Sequence, residues 1–567
     1  MDSPLQDSFQ DDGQHRSIGQ LWNRAKNKFT TKEGLIGDYD YLYLFTPRIP
    51  FVTKQPTESV FFGLKSNMPV LLGLLLGLQH CLAMLAGIVT PPLIIAPTAN
   101  LDAVTTQYLV SASLLVSGFL SLIQITRFRI LKTRFYIGTG LLSVVGTSCA
   151  TITIVTKGIP QMYASGFCPT ASDGTQLPCP DAYGAIIGTS ALCGLIEVIL
   201  SFLPARVLKR MFPPLVTGPV VLLIGVSLIL SGFQDWIGGS GCVGTICPGA
   251  GLPQAAPWGS AKFLGLGFLV LVVIIICEKW GSPIMQSCAV IMGLLVGCIV
   301  AAGCGYFDRT GIDEAPVATF LWVHRFKLSL YGPLVLPMLA LYITLMMEAI
   351  GDIAATCDVS QLTVEGPMYD SRIQGGVLAD GCVGILAALM TVTPMSTFAQ
   401  NNGVISLTRC ANKNVGYWCC FFLIIMGIFS KFAASLVAIP KPVLGGMTTF
   451  LFTSVAVSGI RIISSIPFTR RDRFVLTCSC LFGFGAVLVP NYFSYFFTYS
   501  GKNRALQGLL DAIVLVMETS FAIAGLVGLI VNLIIPETGY DHGNVEELES
   551  HQDVNDEIET SIKRVDV

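Results

Sequence analysis

Ten consecutive residues, Gln400-Asn401-Asn402-Gly403-Val404-Ile405-Ser406-Leu407-Thr408-Arg409, carry enough amides and hydroxyls to hold a polar molecule by hydrogen bonds alone. They sit among apolar stretches, where an amide needs a partner or a cavity. Pro394 upstream and Gly403 within predict a broken segment, an extended piece leading into a half-helix that begins near Gly403. The free N–H groups of that helix start, with the side chains of Gln400 and Asn401, then face a cavity at mid-membrane depth, as in the discontinuous helices that hold substrates in secondary transporters. The alternative is that these amides bond neighbouring helices.

Carboxylates supply a second chemistry, the taking and giving of protons. Glu348 and Asp352 stand one helical turn apart on one face. A carboxyl at the centre of a span costs about 2.5 to 3.5 kcal/mol on insertion scales, so that face turns toward protein or water. Glu348 is expected to take a proton before or with substrate; the other reading of the pair is a structural hydrogen bond that closes the core. Asp380, beside Gly381 at the entrance of a later apolar stretch, either anchors the broken segment or caps its own helix. His80 is a proton-network partner of the carboxylates, oriented by Gln79, or a neutral imidazole bridging two helices. Arg409 complements the dipole at the far end of the half-helix, with a positive-inside anchor and a role in substrate affinity both open. Glu197 and Lys431 read as polar contacts inside the core.

The elements that must position these groups are membrane spans. Charged residues form 12% of the 567, against about 25% in soluble domains, and 52% are hydrophobic. The net charge of -2 gives no sign of nucleic-acid binding. Metal-ligand spacing, a nucleophile elbow and a phosphate loop are all absent from the sequence, so an enzyme has no support and no cofactor is expected. Residues 1–68 are polar, without a signal peptide, and the first apolar run starts at Pro69. Most of the 18 cysteines lie in apolar runs; Cys168 with Cys179 and Cys242 with Cys247 lie in Gly/Pro-rich loops, where disulfides form if the loops face outside.

Apolar stretches run near 69–90, 108–126, 138–157, 183–204, 213–232, 262–278, 283–303, 330–350, 375–393, 395–412, 416–439, 442–463, 474–490 and 509–535, fourteen in all. The tenth, at 18 residues, is short for a helix that needs about 20 to span, and the third carries the small, polar Gly146-Thr147-Ser148-Cys149-Ala150-Thr151; both are expected to be broken. An even count puts both tails on one side. The loops on that side carry most of the positive residues, among them Arg127, Arg129, Lys132, Arg134, Arg206, Lys209, Arg210 and Arg372, whereas the opposite loops hold few, such as Lys157, Lys262 and Lys502. Both tails are therefore expected in the cytoplasm and the two Cys-pair loops outside. A repeat is visible too: an offset of 227 residues places Pro213, Val216, Gly218, Ser227, Ser231 and Gly232 over Pro440, Val443, Gly445, Ser454, Ser458 and Gly459. Seven stretches separate the two windows, so the halves are inverted and the third faces the tenth.

Gly77-Leu78-Gln79-His80-Cys81-Leu82-Ala83-Met84, the Glu348 to Asp352 stretch and the Gln400–Arg409 decad together resemble the nucleobase-ascorbate transporter family. Its signature, Gln/Glu/Pro-Asn-x-Gly-x-x-x-x-Thr-Arg/Lys/Gly, is matched at every fixed position, and the resemblance runs from about Gly34 to Pro536. Gln400, Arg409 and the Gly37-Asp38-Tyr39-Asp40-Tyr41 tail element look most like the fungal uric acid/xanthine permeases, where such a tail matters for trafficking. The resemblance implies an all-α polytopic protein of the plasma membrane, a homodimer embedded in lipid, and proton symport by an elevator. A core domain (69–204 and 330–439) slides against a gate domain (205–303 and 440–535), with cytoplasmic tails at 1–68 and 536–567. Substrate lies between the third, eighth and tenth spans, near Glu348, Gln400, Asn401, Ser148 and Cys149. His80, Gln79, Asp352, Asp380, Thr408 and Arg409 form the surrounding network. Arg473, Thr519 and Phe521 form a selectivity filter outside the site. Cys149 stands where an aromatic would stack well on a purine, so the chain must use the backbone or another aromatic such as Phe398.

An oxidised purine presents ring N–H donors beside C=O acceptors, which suits a carboxylate and an amide. Gln400 can donate to a carbonyl and accept from a ring N–H at once, whereas an ionised Glu there only accepts and repels urate. Xanthine and uric acid are therefore the expected substrates. The alternatives are a uracil or other nucleobase permease of the same family and an anion exchanger or channel of the same seven-plus-seven fold.

Overall fold

The structure is a computed structural model and describes residues 28–47 and 61–535, except 29, 38, 40, 173, 205–206, 209–211, 240–241, 248–254, 498 and 500–503. Asp38 and Asp40 of the tail element, Arg206, Lys209, Arg210, Lys502 and the acidic tail 536–567 lie outside the described residues. The chain is a mostly helical, multi-pass membrane protein. Among the described residues, eight helices are long and apolar enough to cross a membrane: α1 (Val70–Thr98), α2 (Ala103–Ile125), α4 (Pro180–Cys193) continued by α5 (Leu195–Leu200), α6 (Pro214–Trp236), α7 (Ala261–Trp280), α10 (Gly332–Val359), α11 (Pro367–Leu389) and α15 (Lys441–Ser464).

Shorter or interrupted elements build the other apolar stretches. The third contains strand β1 (Val145–Thr147) and helix α3 (Ala150–Ala164), and the tenth strand β2 (Met395–Thr397) and helix α12 (Gln400–Thr408). The seventh divides into α8 (Pro283–Ser287) and α9 (Ala289–Gly303), and the eleventh into α13 (Lys413–Ile428) and α14 (Ser430–Val437). Helix α16 (Arg470–Leu488) fills the thirteenth, and α17 (Arg504–Glu518) and α18 (Ser520–Ile534) meet at a bend of 87°.

Two boundaries differ from the sequence expectation. The half-helix starts at Gln400 rather than near Gly403, because the ladder ends at Thr397 and the chain coils at once; Gly403 sits inside the helix beside open space. Helix α11 starts at Pro367, a favoured first-turn proline, so Asp380 lies in mid-helix, not at an entrance, and cannot be a cap.

Glycines set the closest helix contacts. A Cβ at Gly225 would meet Ala456 N at 2.3 Å, and one at Gly459 would meet Leu222 N at 2.3 Å, so α6 and α15 touch backbone to backbone as small-residue interfaces in membranes do. Elsewhere α3 is tied to the 205–303 and 440–535 helices by polar links: Thr153 Oγ1 to Ser227 Oγ at 3.3 Å, Gln161 Nε2 donating to the Asp511 carbonyl at 3.4 Å, and Lys157 Nζ donating to the Glu518 carbonyl. Both expected Cys pairs, Cys168–Cys179 and Cys242–Cys247, are disulfides. Lys431 is exposed and is not a contact inside the core, as it lies in the short α14 where the turn points it outward.

Candidate functional site

The site begins with a two-stranded antiparallel ladder buried in the helices. Val145 pairs with Thr397, Gly146 with Ser396 and Thr147 with Met395. A strand edge in a membrane interior must be bonded by something other than water, and side chains do it here. On the β1 edge, Ser121 Oγ accepts from Val145 N at 3.0 Å, and Ser117 Oγ donates to the Val145 carbonyl. On the β2 edge, the Asp380 carboxylate accepts from Thr397 N at 3.1 Å and from Ser396 Oγ at 2.8 Å. Gly146 has no room for a side chain, since a Cβ there would lie 2.5 Å from the Phe398 ring; the same ring would sit 2.8 Å from a Cβ on Gly87.

Each strand leads, two or three residues on, into a helix start. Neither start is capped by a side chain, at Cys149 or at Ala399, and neither first turn holds an acidic residue; Ile152 N donates to the Cys149 carbonyl, and Asn401 N and Asn402 N to the Phe398 and Ala399 carbonyls, so what each start offers a ligand is chiefly the positive end of its helix dipole. Ser148 is buried and Cys149 half-buried; Gln400, Gly403 and Ser406 are exposed along one face of α12. Helix α10 packs on α12 beside this face. Thr356 Oγ1 donates to Asn402 Oδ1 at 2.7 Å, and Thr397 Oγ1 donates to Asp352 Oδ2 at 3.4 Å. Glu348 is half-buried and lies within electrostatic reach of Cys149. Among the described residues, no side chain or backbone group hydrogen-bonds the Glu348 carboxyl or the Gln400 amide. Gly351, one turn from Glu348, borders open space as Gly403 does. A carboxyl acceptor and an amide of both characters, each with its capacity unused, thus lie on elements that adjoin the positive ends of two helix dipoles.

Other expected residues are placed differently. Asn401 does not share the cavity with Gln400: it is 1% exposed, with Oδ1 at 3.1 Å from His80 Nδ1. Neighbouring helix residues point about 100° apart, so only one of the two amides can face the opening. His80 thus pairs with Asn401 and not directly with the carboxylates, and its Nε2 and the Asn401 Nδ2 are buried without partners. Gln79 does not orient His80. Its Nε2 donates to the Pro283 carbonyl at 3.3 Å and to Ser287 Oγ at 2.7 Å, on the next face of α1. Thr408 bonds within its own helix, to the Val404 carbonyl at 2.7 Å. Arg409 closes α12 at φ 54°, and its carbonyl accepts from Phe62 N at 2.9 Å.

Arg473 is exposed in the first turn of α16, where neighbouring Arg471 reaches Asn532 and Ile535 at the end of α18. Thr519 and Phe521, both 0% exposed, lie at the opposite end of that helix. Most of the 15 residues of α18, at about 1.5 Å of rise each, separate the two groups, so Arg473 is not brought together with Thr519 and Phe521. Sequence reasoning missed Ser117 and Ser121, which with Ser113 repeat every four residues along one face of α2, and Thr356 and Ser287, which carried no signal.

Comparison with known proteins follows the same lines. A family model described as the Permease family (Xan_ur_permease) matches residues 73–492. The chain is 61% identical over 530 residues to a purine permease of Emericella nidulans, covering 92% of this chain and 91% of that one. It is 56% identical to the uric acid-xanthine permease of the same organism, over 92% of this chain and 91% of that one. Among solved structures, the murine Solute Carrier 26 family member A9 anion transporter, in its inward-facing state, superposes with a TM-score of 0.52 at 13% identity, covering 83% of this chain and 69% of that one, a likeness of fold alone.

Proposed function

The chain belongs to the Permease family and is a transporter rather than an enzyme, and on that premise we propose that it is a proton-coupled symporter importing uric acid and xanthine across the plasma membrane by an elevator mechanism. The observation that carries the reading is the unused pair of Glu348 and Gln400 beside two uncapped helix starts. A xanthine-like ring seated there donates N–H to Glu348, exchanges both kinds of bond with Gln400, and turns a carbonyl toward the positive helix ends. The relatives' names, purine permease and uric acid-xanthine permease, agree with that chemistry. Adenine, which has no ring carbonyl with an N–H beside it, leaves one of the two side chains without a partner, a loss of about 1 to 3 kcal/mol, and hypoxanthine and uracil, which offer fewer such groups than xanthine, are expected to bind more weakly. With Cys149 unable to stack, Phe398, held by Gly87 and Gly146, is the aromatic nearest the helix start.

The elevator is read as the bundle of α1–α5 and α10–α14 moving against α6–α9 and α15–α18. The inverted repeat behind it is supported by reciprocal contacts: Gly218 meets Ile463 and Gly445 meets Trp236, and adding 227 to 218 and 236 gives 445 and 463. A pseudo-two-fold axis makes contacts reciprocal in this way. Cytoplasmic tails, a homodimer and protons as the coupling ion complete the proposal. An anion exchanger is the competing reading, and it differs in needing no proton on Glu348. Uptake of labelled xanthine against its gradient, collapsed by a protonophore, is the test; xanthine that only equilibrates, or that is displaced better by uracil or adenine than by uric acid, rejects the assignment.

A further inference from the structure

Behind the ladder lies a carboxyl that this transport scheme leaves idle. Glu197, in α5, is 1% exposed, and neither of its oxygens meets a hydrogen-bond donor among the described residues. An ionised carboxylate with no donor and no cation is costly to bury. What faces it is a second acid. Helix α5 packs on α11 at Gly381, where a Cβ would come within 3.2 Å of Glu197 Cβ and 3.0 Å of Val198 N, and the adjacent Asp380 carboxyl is within hydrogen-bonding reach. The other titratable groups around the pair are Cys382 on α11, Tyr342 on α10 with Cys193 behind it, and, beyond them, Glu348 and Asp352 on α10. None is a cation. Asp380 already accepts two hydrogen bonds from β2, whereas Glu197 accepts none.

We infer that Glu197 carries a proton and donates it as a hydrogen bond to Asp380, and so positions β2. One proton between the two acids satisfies both: Glu197 gains an acceptor, and Asp380 remains the acceptor that Thr397 N and Ser396 Oγ require. Glu197 acts through Asp380 on β2, and through β2 on the start of α12 where Gln400 stands. It is a positioning residue, not one that touches the substrate. The consequence for uptake rests on the purine-transport reading; the proton itself does not.

Infrared spectroscopy of the purified full-length protein reads the C=O stretch of a protonated carboxyl without any purine present. Glu197→Gln is expected to lose one such band, and an unchanged spectrum overturns the inference. Asp380→Asn changes the acceptor and is expected to shift the same band, which covers the case in which Glu197→Gln does not fold; an unshifted band overturns the pairing. In xanthine uptake, Glu197→Gln keeps a neutral donor and is expected to hold KM within about twofold, while Glu197→Leu, of similar bulk and no donor, raises KM about tenfold at equal surface abundance. Equal KM values for the two variants overturn the positioning role. A wild type that takes up no purine defeats the transport reading and leaves the infrared result to decide the proton.

Discussion

The two broken segments share a backbone plan and differ in almost every side chain. Each runs as a strand of three residues, then an uncapped turn, then a helix, and the strands pair at Gly146 and Ser396. On the β1 arm the outer edge is bonded by neutral hydroxyls, Ser117 and Ser121, and the helix opens with Ser148, Cys149 and Ala150. On the β2 arm the outer edge is bonded by the acid Asp380, and the helix opens with Gln400 and Asn401. The shared backbone gives each arm a buried strand and a helix start. On the proposed reading, the side chains of the β2 arm and of α10 beside it give the ligand its identity.

The strongest way to break this division is at Glu348, which faces both arms. Glu348→Gln is expected to abolish accumulation of xanthine while surface abundance stays at the wild-type level, measured by labelled uptake and surface labelling. Wild-type rates in that variant sink the assignment of proton coupling to Glu348.

Next come the two edges. Asp380→Ala leaves Thr397 N and Ser396 Oγ buried without an acceptor and is expected to cost about 3 kcal/mol, while Ser121→Ala costs about 1 kcal/mol, since only one backbone N–H loses its partner. Thermal unfolding of the purified variants measures both, and equal losses mean the acid on the β2 edge has no special place.

The ligand-facing side chains follow. Gln400→Ala is expected to weaken xanthine by about 1 to 3 kcal/mol, a rise in KM of roughly 5- to 150-fold, with little change in folding. Cys149→Ala on the opposite arm is expected to change KM by no more than about threefold. A reversed order locates recognition on the β1 arm.

Glycines give the finest contrast. Gly146→Ala forces the Phe398 ring to move from 2.5 Å and is expected to destabilise by about 1 to 3 kcal/mol. Gly403→Ala meets nothing within 4 Å, so its stability is expected to hold or to rise by about 0.5 to 1 kcal/mol. Comparing their unfolding temperatures checks both.

What the amino-acid sequence determined by itself was environment and type. Amides and carboxyls inside apolar stretches have few ways to exist, so Gln400, Glu348, Asp352 and Asp380 could be singled out from chain position alone, as could two stretches interrupted by small and polar residues and two Cys pairs in Gly/Pro-rich loops. Partners were another matter. One residue of helix rotation decides that Gln400 faces the opening while Asn401 turns to His80, and that Gln79 reaches Ser287 instead of its neighbour. Helix α11 begins eight residues before its apolar stretch, which moves Asp380 to the middle of a helix where it can hold β2. Arg473 and Phe521 fall at opposite ends of α18 although both lie in the same third of the chain. Hydrophobicity and residue type act locally and can be read along the chain, but the direction in which a side chain points and the group it meets are set by how whole helices rotate and pack, and only the tertiary structure decides that.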